Sequence, residues 1–155
     1  AYSKAVRTVK TCVGTDFCRF GIGDAVGLGI ELERRLEGLH TPHKVKLAVS
    51  GCPRNCAEAS VKDIGVIAVE GGWEVVVGGA AGSTVRAADP LARVATAAEA
   101  IRVAETFLQY YRENAEYLER SYAFVERVGI EEVRRAVLDE GSGEPERLRE
   151  RLALA

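Results

Sequence analysis

The chain has 155 residues, of which 47% are hydrophobic and 28% charged, and its formal net charge is −2. A chain of this size normally forms one domain with a sizeable core, so intrinsic disorder and collagen-like repeats are excluded. The balance of 21 basic and 23 acidic residues gives no strong field for nucleic acid or an anionic membrane, and no apolar run has the roughly 18–20 residues of a transmembrane helix.

The front of the chain is rich in glycine and holds all the cysteines, which predicts loops and strands there. Asp24 is a candidate cap for a helix that runs to about Leu36 and is stopped by Gly38. The other elements predicted in this part, from alternation and turn residues, are a strand at 44–49, a short helix at 54–60, hairpin strands at 64–70 and 73–77 around Gly71-Gly72, and a strand at 91–94.

From about Thr96 the composition turns to Ala, Glu, Arg and Leu, with apolar residues at helical spacing. Helices are predicted over 97–114, 117–128, 130–139 and 145–154. Strands first and helices last predict an α+β fold. We therefore expect a mixed β-sheet with flanking helices over residues 1–95, followed by a helical C-terminal part over 96–155 that packs on the same domain.

Cysteine spacing is the most informative pattern. Cys12 and Cys18 form a C-x5-C pair, and Cys52 and Cys56 form a C-x3-C pair. Zinc sites favour C-x2–4-C, so the second pair fits zinc and the first fits poorly. An iron–sulfur cluster tolerates wider loops, whereas disulfides are less expected in a chain of this length without a recognisable secretory leader. The spacing favours iron and leaves zinc and disulfides open.

The residues around both pairs carry a family resemblance. They read TCVGTDFCRFG at 11–21 and AVSGCPRNCAEA at 48–59, with PHKVK at 42–46 and KDIGVIA at 62–68. These segments resemble the sirohaem- and cluster-binding half of nitrite and sulfite reductases, in particular the C-terminal part of the large subunit of assimilatory NAD(P)H nitrite reductases. Because the sequence contains no Met, we also expect it to be a piece of a longer polypeptide.

The resemblance implies two cofactors. Cys12, Cys18, Cys52 and Cys56 would hold a 4Fe-4S cluster, and Cys56 would bridge one cluster iron to the sirohaem iron. The implied reaction is the six-electron reduction of nitrite to ammonia. A sulfite reductase fragment and a non-catalytic 4Fe-4S electron-transfer module are the alternatives, and FAD and NAD(P)H are expected on parts of the full-length protein outside this segment.

Sirohaem carries many carboxylates, so cationic and amide groups beside the cysteines are candidate contacts. These candidates are Arg19, Arg54 and Asn55, while Gly51 would let the backbone approach the macrocycle.

Lys44 and Lys46 share one face of the predicted strand at 44–49. They are candidate catalytic residues that attract nitrite and pass protons, and a solvated strand face is the alternative. The expected partners are nitrite and the rest of the reductase polypeptide (a ferredoxin-like half and the flavin and nicotinamide domains), with a second copy in a homodimer as a further candidate. No nucleic acid and no membrane partner are expected. We expect a cytoplasmic protein whose isolated segment lacks nitrite reductase activity.

Overall fold

The computed structural model describes residues 2–155 and, within them, two β-sheets. The strands of the described part are β1 (Val6–Thr11), β2 (Val45–Ser50), β3 (Ile64–Val69), β4 (Gly72–Val77), β5 (Ala80–Ala81), β6 (Val85–Arg86) and β7 (Asp89–Val94).

The main sheet has five strands in the spatial order β1-β2-β3-β4-β7. Strands β1, β2 and β3 run parallel, whereas β3, β4 and β7 are antiparallel neighbours. Strands β5 and β6 pair with each other in a small second sheet. The mixed sheet followed by helices confirms the predicted α+β class.

The α-helices of the described residues are α1 (Ala25–Leu36), α2 (Ala97–Asn114), α3 (Ser121–Val128), α4 (Ile130–Leu138) and α5 (Glu144–Ala153). Helices α1, α2, α4 and α5 agree with the predicted elements to within one residue at most boundaries. Helix α3 begins later than the predicted Tyr117 because Leu118 has a left-handed backbone with φ of +66°. No helix among residues 2–155 is long and apolar enough to cross a membrane.

Helix α1 connects β1 to β2 and shows why its sequence forms a helix. The Asp24 side chain caps it by accepting a hydrogen bond from the Gly27 N–H at 2.9 Å. Leu28, Leu32 and Leu36 follow at a spacing of four residues and are all buried. The predicted cap and apolar stripe of this helix are confirmed.

One apolar core joins the sheet to helices from both halves of the chain. Phe107 and Tyr111 of α2 and Phe124 of α3 are buried in it, and the rings of Tyr111 and Phe124 meet edge-on with centroids 5.5 Å apart. The core therefore runs across the predicted boundary at residue 95, and that boundary stays a prediction.

The opposite face of the sheet carries a smaller apolar cluster of Ala48, Ala57, Ala59, Ile67 and Val76. Because side chains alternate along a strand, Lys46 and Ser50 point to the same face as Ala48, whereas Leu47 and Val49 pack in the main core. The segment after β2 covers part of this face of the sheet through Ala57 and Ala59. The candidate site residue Lys46 lies on the same face.

The segment after β2 is not the predicted short helix at 54–60. Asn55 and Glu58 have left-handed backbones, with φ of +59° and +61°, and such residues interrupt a right-handed helix. A single 3₁₀ turn, Ala59–Val61, is all the helical structure in this segment.

Strand β1 was not predicted, although its β-branched residues Val6, Thr8, Val9 and Thr11 are typical of strands.

Candidate metal centre

The four cysteines line one cavity of about 110 Å³ at the end of the main sheet. Cys12 directly follows β1, and Cys52 follows β2 by one residue. Strands β1 and β2 are parallel, with Thr11 opposite Val49, so their carboxyl ends lie side by side. Two cysteines far apart in sequence therefore meet at the edge where parallel sheets commonly bind ligands.

The loops after β1 and β2 bring the other two cysteines to the same cavity. The Cys18 N–H donates to the Gly14 carbonyl at 3.0 Å, which turns the first loop back on itself. Cys52 is buried, Cys12 and Cys18 are half-buried, and Cys56 is exposed. All four thiols are free of disulfides.

Gly51 ties the two cysteine loops together. Its N–H donates to Cys12 Sγ at 3.1 Å, and its carbonyl accepts from the N–H groups of Ile22 and Gly23 at 2.8 and 3.1 Å. A Cβ at this position would lie 2.8 Å from the Gly14 Cα. The glycine is thus needed where the backbones of the two loops touch, a reason different from the predicted approach of a macrocycle.

Asn55 shapes the second cysteine loop through its side-chain amide. Its Nδ2 donates to Ser60 Oγ at 2.6 Å, and its Oδ1 accepts from the Ser60 N–H at 3.3 Å and from Ser50 Oγ at 3.4 Å. Ser50 Oγ in turn accepts from the Ala57 N–H at 3.2 Å. These bonds stabilise the left-handed Asn55, and its contact with a cofactor stays a prediction.

Two guanidinium groups lie at the rim of the cavity. Arg54 lines the cavity, and its guanidinium stands over the Phe20 ring at 3.8 Å from the centroid. Arg19 lies against the same ring at 4.7 Å. Phe20 was not predicted as a site residue, yet its ring holds two positive charges beside the cysteine cavity, where they favour bound anions.

The loop after β1 also exposes apolar side chains around the cavity. Val13, Phe17, Phe20 and Ile22 are all exposed, Phe17 to 87%. Such a patch next to a cavity is typical of a surface that contacts a ligand or another part of a protein.

Lys44 and Lys46 do not lie at the cysteine cavity. They line a separate pocket of about 370 Å³, here called the lysine pocket, whose cationic residues are Lys44, Lys46, Lys62 and Arg120. From Lys46 to Ser50, where β2 ends, the strand rises by about 13 Å towards the cysteine end. The catalytic role of the two lysines stays a prediction, because the structure does not bring them to the cysteines.

The donor set fits an iron–sulfur cluster. Four free cysteines line one cavity, and a 4Fe-4S cluster is held by four cysteine thiolates. Among residues 2–155, no three His, Cys, Asp or Glu side chains are placed to hold one metal ion.

Comparison with known proteins places the chain in a family. Residues 2–145 match the family described as the nitrite and sulphite reductase 4Fe-4S domain. The chain is 57% identical over 139 residues to nitrite reductase [NAD(P)H] of Bacillus subtilis, covering 90% of the chain and 17% of that protein. It is 43% identical over 155 residues to the nitrite reductase (NADH) large subunit of Escherichia coli, covering 99% of the chain and 18% of that protein.

The fold is shared with a solved structure of the Mycobacterium tuberculosis NirA protein. The TM-score is 0.78 at 20% sequence identity, covering 92% of this chain and 28% of the other. The chain thus spans less than a fifth of the two reductases it resembles in sequence. The chain belongs to the nitrite and sulphite reductase 4Fe-4S domain family.

Proposed function

We propose that this chain is the cofactor-binding portion of a sirohaem-dependent nitrite reductase that reduces nitrite to ammonia with six electrons. The observation that carries the proposal is the convergence of four free cysteines, from two loops, on one cavity at the carboxyl ends of β1 and β2. The relatives at 57% and 43% identity, both named as nitrite reductases, support nitrite as the substrate.

The cysteines would hold a 4Fe-4S cluster as thiolates. When bound, the cluster stores electrons and the sirohaem iron binds the anion that is reduced. The Gly51 N–H donates to Cys12 Sγ, and a hydrogen bond of this kind stabilises negative charge on sulfur and raises the reduction potential. Cys52 is the buried thiol of the four.

The outer side of the cavity fits a second, larger cofactor. Cys56 is the exposed thiol of the four, which supports it as the bridge to the sirohaem iron. Arg54 and Arg19, held on Phe20, are positioned to attract the sirohaem carboxylates. The exposed apolar side chains around them would be covered by the macrocycle or by the neighbouring part of the reductase.

The remaining parts of the reaction belong to the longer polypeptide. The two reductases matched in sequence are several times longer than this chain, and we assign FAD, NAD(P)H and the ferredoxin-like half to those other parts. We place the reductase in the cytoplasm, with a homodimer as a possible assembly. The isolated segment then has no nitrite reductase activity.

Anaerobic purification tests the cofactor assignment. Iron, acid-labile sulfide and tetrapyrrole would be measured per chain in the full-length reductase and in the 155-residue segment. The proposal expects a cluster in both, with a haem-like absorption band and additional iron in the full-length protein. Zinc without sulfide would contradict it, and four iron atoms without tetrapyrrole in the full-length protein would support the electron-transfer module instead.

The substrate is tested on the full-length reductase. The ratio of kcat/KM for nitrite to that for sulfite should strongly favour nitrite. A preference for sulfite would replace the proposal with the sulfite reductase alternative, which the family description also covers.

A further inference from the structure

Another cavity, here called the arginine pocket, lies between the loop before β2 and the last turns of α2 and α5. Its volume is about 430 Å³, and its lining includes Arg112 of α2, Arg151 of α5, and His40 and Pro42 of the loop. It shares no lining residue with the cysteine cavity or the lysine pocket. The arginine pocket is therefore a separate feature of the molecule.

Arg112 is a half-buried cation whose hydrogen-bond partners are neutral. Its Nε donates to the His40 carbonyl at 2.8 Å, and its Nη1 donates to Gln109 Oε1 at 2.9 Å. Within residues 2–155 it makes no ion pair within 4.0 Å. Burial lowers the pKa of Arg112, and the negative charge of Glu113 offsets this effect only in part. Because this guanidinium has lost water without gaining a counter-ion, a bound anion would stabilise it.

Arg151 supplies a second guanidinium to the same pocket. In the part of the chain that the structure describes, its side chain makes no hydrogen bond and no ion pair. His40 adds an imidazole N–H beside the two guanidinium groups. Guanidinium and imidazole N–H groups are donors that proteins use to bind phosphate and carboxylate oxygens.

The carboxylate side chain of the pocket is already engaged. Glu113 accepts hydrogen bonds from Gln109 Nε2 at 2.8 Å and from Arg147 Nη2 at 2.9 Å. The buried Gln109 amide stands between Arg112 and Glu113, since it accepts from the first and donates to the second. Glu113 is thus paired with Arg147, and it does not pair with the two guanidinium groups of the pocket.

We propose that the arginine pocket binds a small organic anion through a phosphate or carboxylate group. Two guanidinium groups offer the planar N–H donors that match these oxygen anions. Pro42 and Leu154 line the same cavity, and Leu154 is 79% exposed, so apolar surface is available for the organic part of the ligand. The proposal uses none of the residues assigned to the cluster or the sirohaem.

Calorimetric titration of the 155-residue chain tests the pocket. The C-terminal carboxylate is converted to an amide, because Ala155 lines the pocket and its negative charge would compete with a ligand. Phenyl phosphate, benzoate and inorganic phosphate are the probes, at constant ionic strength and with chloride as the comparison ion. We expect one site per chain for at least one of the two organic anions, and weaker binding of inorganic phosphate than of phenyl phosphate.

Arg151→Ala is the sharpest variant, since the Arg151 side chain makes no hydrogen bond or ion pair with the described residues. We expect it to bind the organic anion at least about tenfold more weakly than the wild type. Arg112→Lys keeps the charge but loses the planar fork, so its affinity should also fall. The matched control is Arg34→Ala, which removes an exposed arginine of α1 outside the pocket and should leave the affinity unchanged.

Four results would overturn the proposal. The first two are no binding of either organic anion above the chloride level, and equal affinity in Arg151→Ala and the wild type. The third is loss of binding in Arg54→Ala or Lys62→Ala with normal binding in Arg151→Ala, which would move the anion to the cysteine cavity or the lysine pocket. The fourth is equal affinity for phenyl phosphate and inorganic phosphate, which would remove the organic part of the ligand. Thermal unfolding without ligand checks that each variant is folded.

Discussion

The two ends of strand β2 carry different chemistry on one face of the same sheet. At its carboxyl end, Cys52 joins the other cysteines around a cavity, and two loops are tied together by Gly51. At its amino end, Lys46 lies among unpaired cations in the lysine pocket. The first end is built from sulfur and backbone N–H groups, and the second from positive charge around a buried carboxylate.

This difference shows how a short strand separates two sites. Lys46 and Ser50 share a face because they are an even number of residues apart, but a strand extends by about 3.3 Å per residue. Residues that share a face can therefore be too far apart to share a ligand. Each of the following predictions changes residues near one end of β2 and compares the result with a control variant elsewhere in the chain.

Replacing Cys12 with Ala gives the largest expected effect. The cavity loses a thiolate that receives the Gly51 N–H, and cluster loading should fall from about four iron atoms per chain to nearly none. Iron and sulfide analysis after anaerobic purification measures it. Lys46→Ala is the control at the other end and should load iron like the wild type; equal iron in Cys12→Ala would contradict the assignment of this ligand.

Replacing Asp63 with Ala should destabilise the lysine end strongly. The change removes the acceptor shared by Arg120, Ser121 and the Lys46 N–H and leaves a half-buried cation unpaired. We expect a loss of about 3 kcal/mol in the free energy of unfolding, measured by denaturant titration. Glu74→Ala breaks the exposed pair with Arg93 and should cost at most about 1 kcal/mol; equal losses in the two variants would show that Asp63 has no special structural role.

Replacing Gly51 with Ala should destabilise the cysteine end moderately. The new Cβ would lie 2.8 Å from the Gly14 Cα, a backbone atom that cannot move without shifting the first loop. We expect a loss of about 1–3 kcal/mol in denaturant titration. The control is Gly82→Ala, where a Cβ meets nothing within 4 Å. If the Gly51→Ala protein is as stable as this control, the two cysteine loops can move apart at Gly51 and Gly14 without loss of stability.

Lowering the pH should weaken the contact between the second cysteine loop and β1 by the smallest amount. The hydrogen bond and charge of Lys10 lower the pKa of Glu58 from its ordinary value of 4.5. A carboxyl with a depressed pKa in the folded state stabilises fully above its unfolded pKa and loses that contribution as the pH falls through the folded pKa. The stability difference between wild type and Glu58→Gln, measured by thermal unfolding of iron-free protein, should therefore be present at pH 7 and shrink as the pH falls below the ordinary Glu value of 4.5 towards the lowered pKa of Glu58. A difference that does not shrink as the pH falls would exclude the ion pair as its cause.

Local sequence patterns predicted the helices and most strands of this fold. The Asp24 cap and the Leu28–Leu32–Leu36 stripe are set by short-range spacing, as is the hairpin of β3 and β4. The segment at 54–60 could not be predicted this way, because its left-handed residues are held by side-chain bonds of Asn55 to Ser50 and Ser60. Those bonds exist only once β2 has placed Ser50 beside the loop.

The sequence by itself determined the ligand chemistry, the family and the α+β order, since these depend on residue types and on spacing along the chain. Tertiary structure alone decided which residues meet. The parallel pairing of β1 and β2 brings Cys12 to Cys52. The same extended β2 keeps Lys46 away from both, in a pocket completed by Lys62 and by Arg120, the residue directly before α3. Contacts between segments distant in sequence depend on strand register and helix packing, which no local pattern encodes.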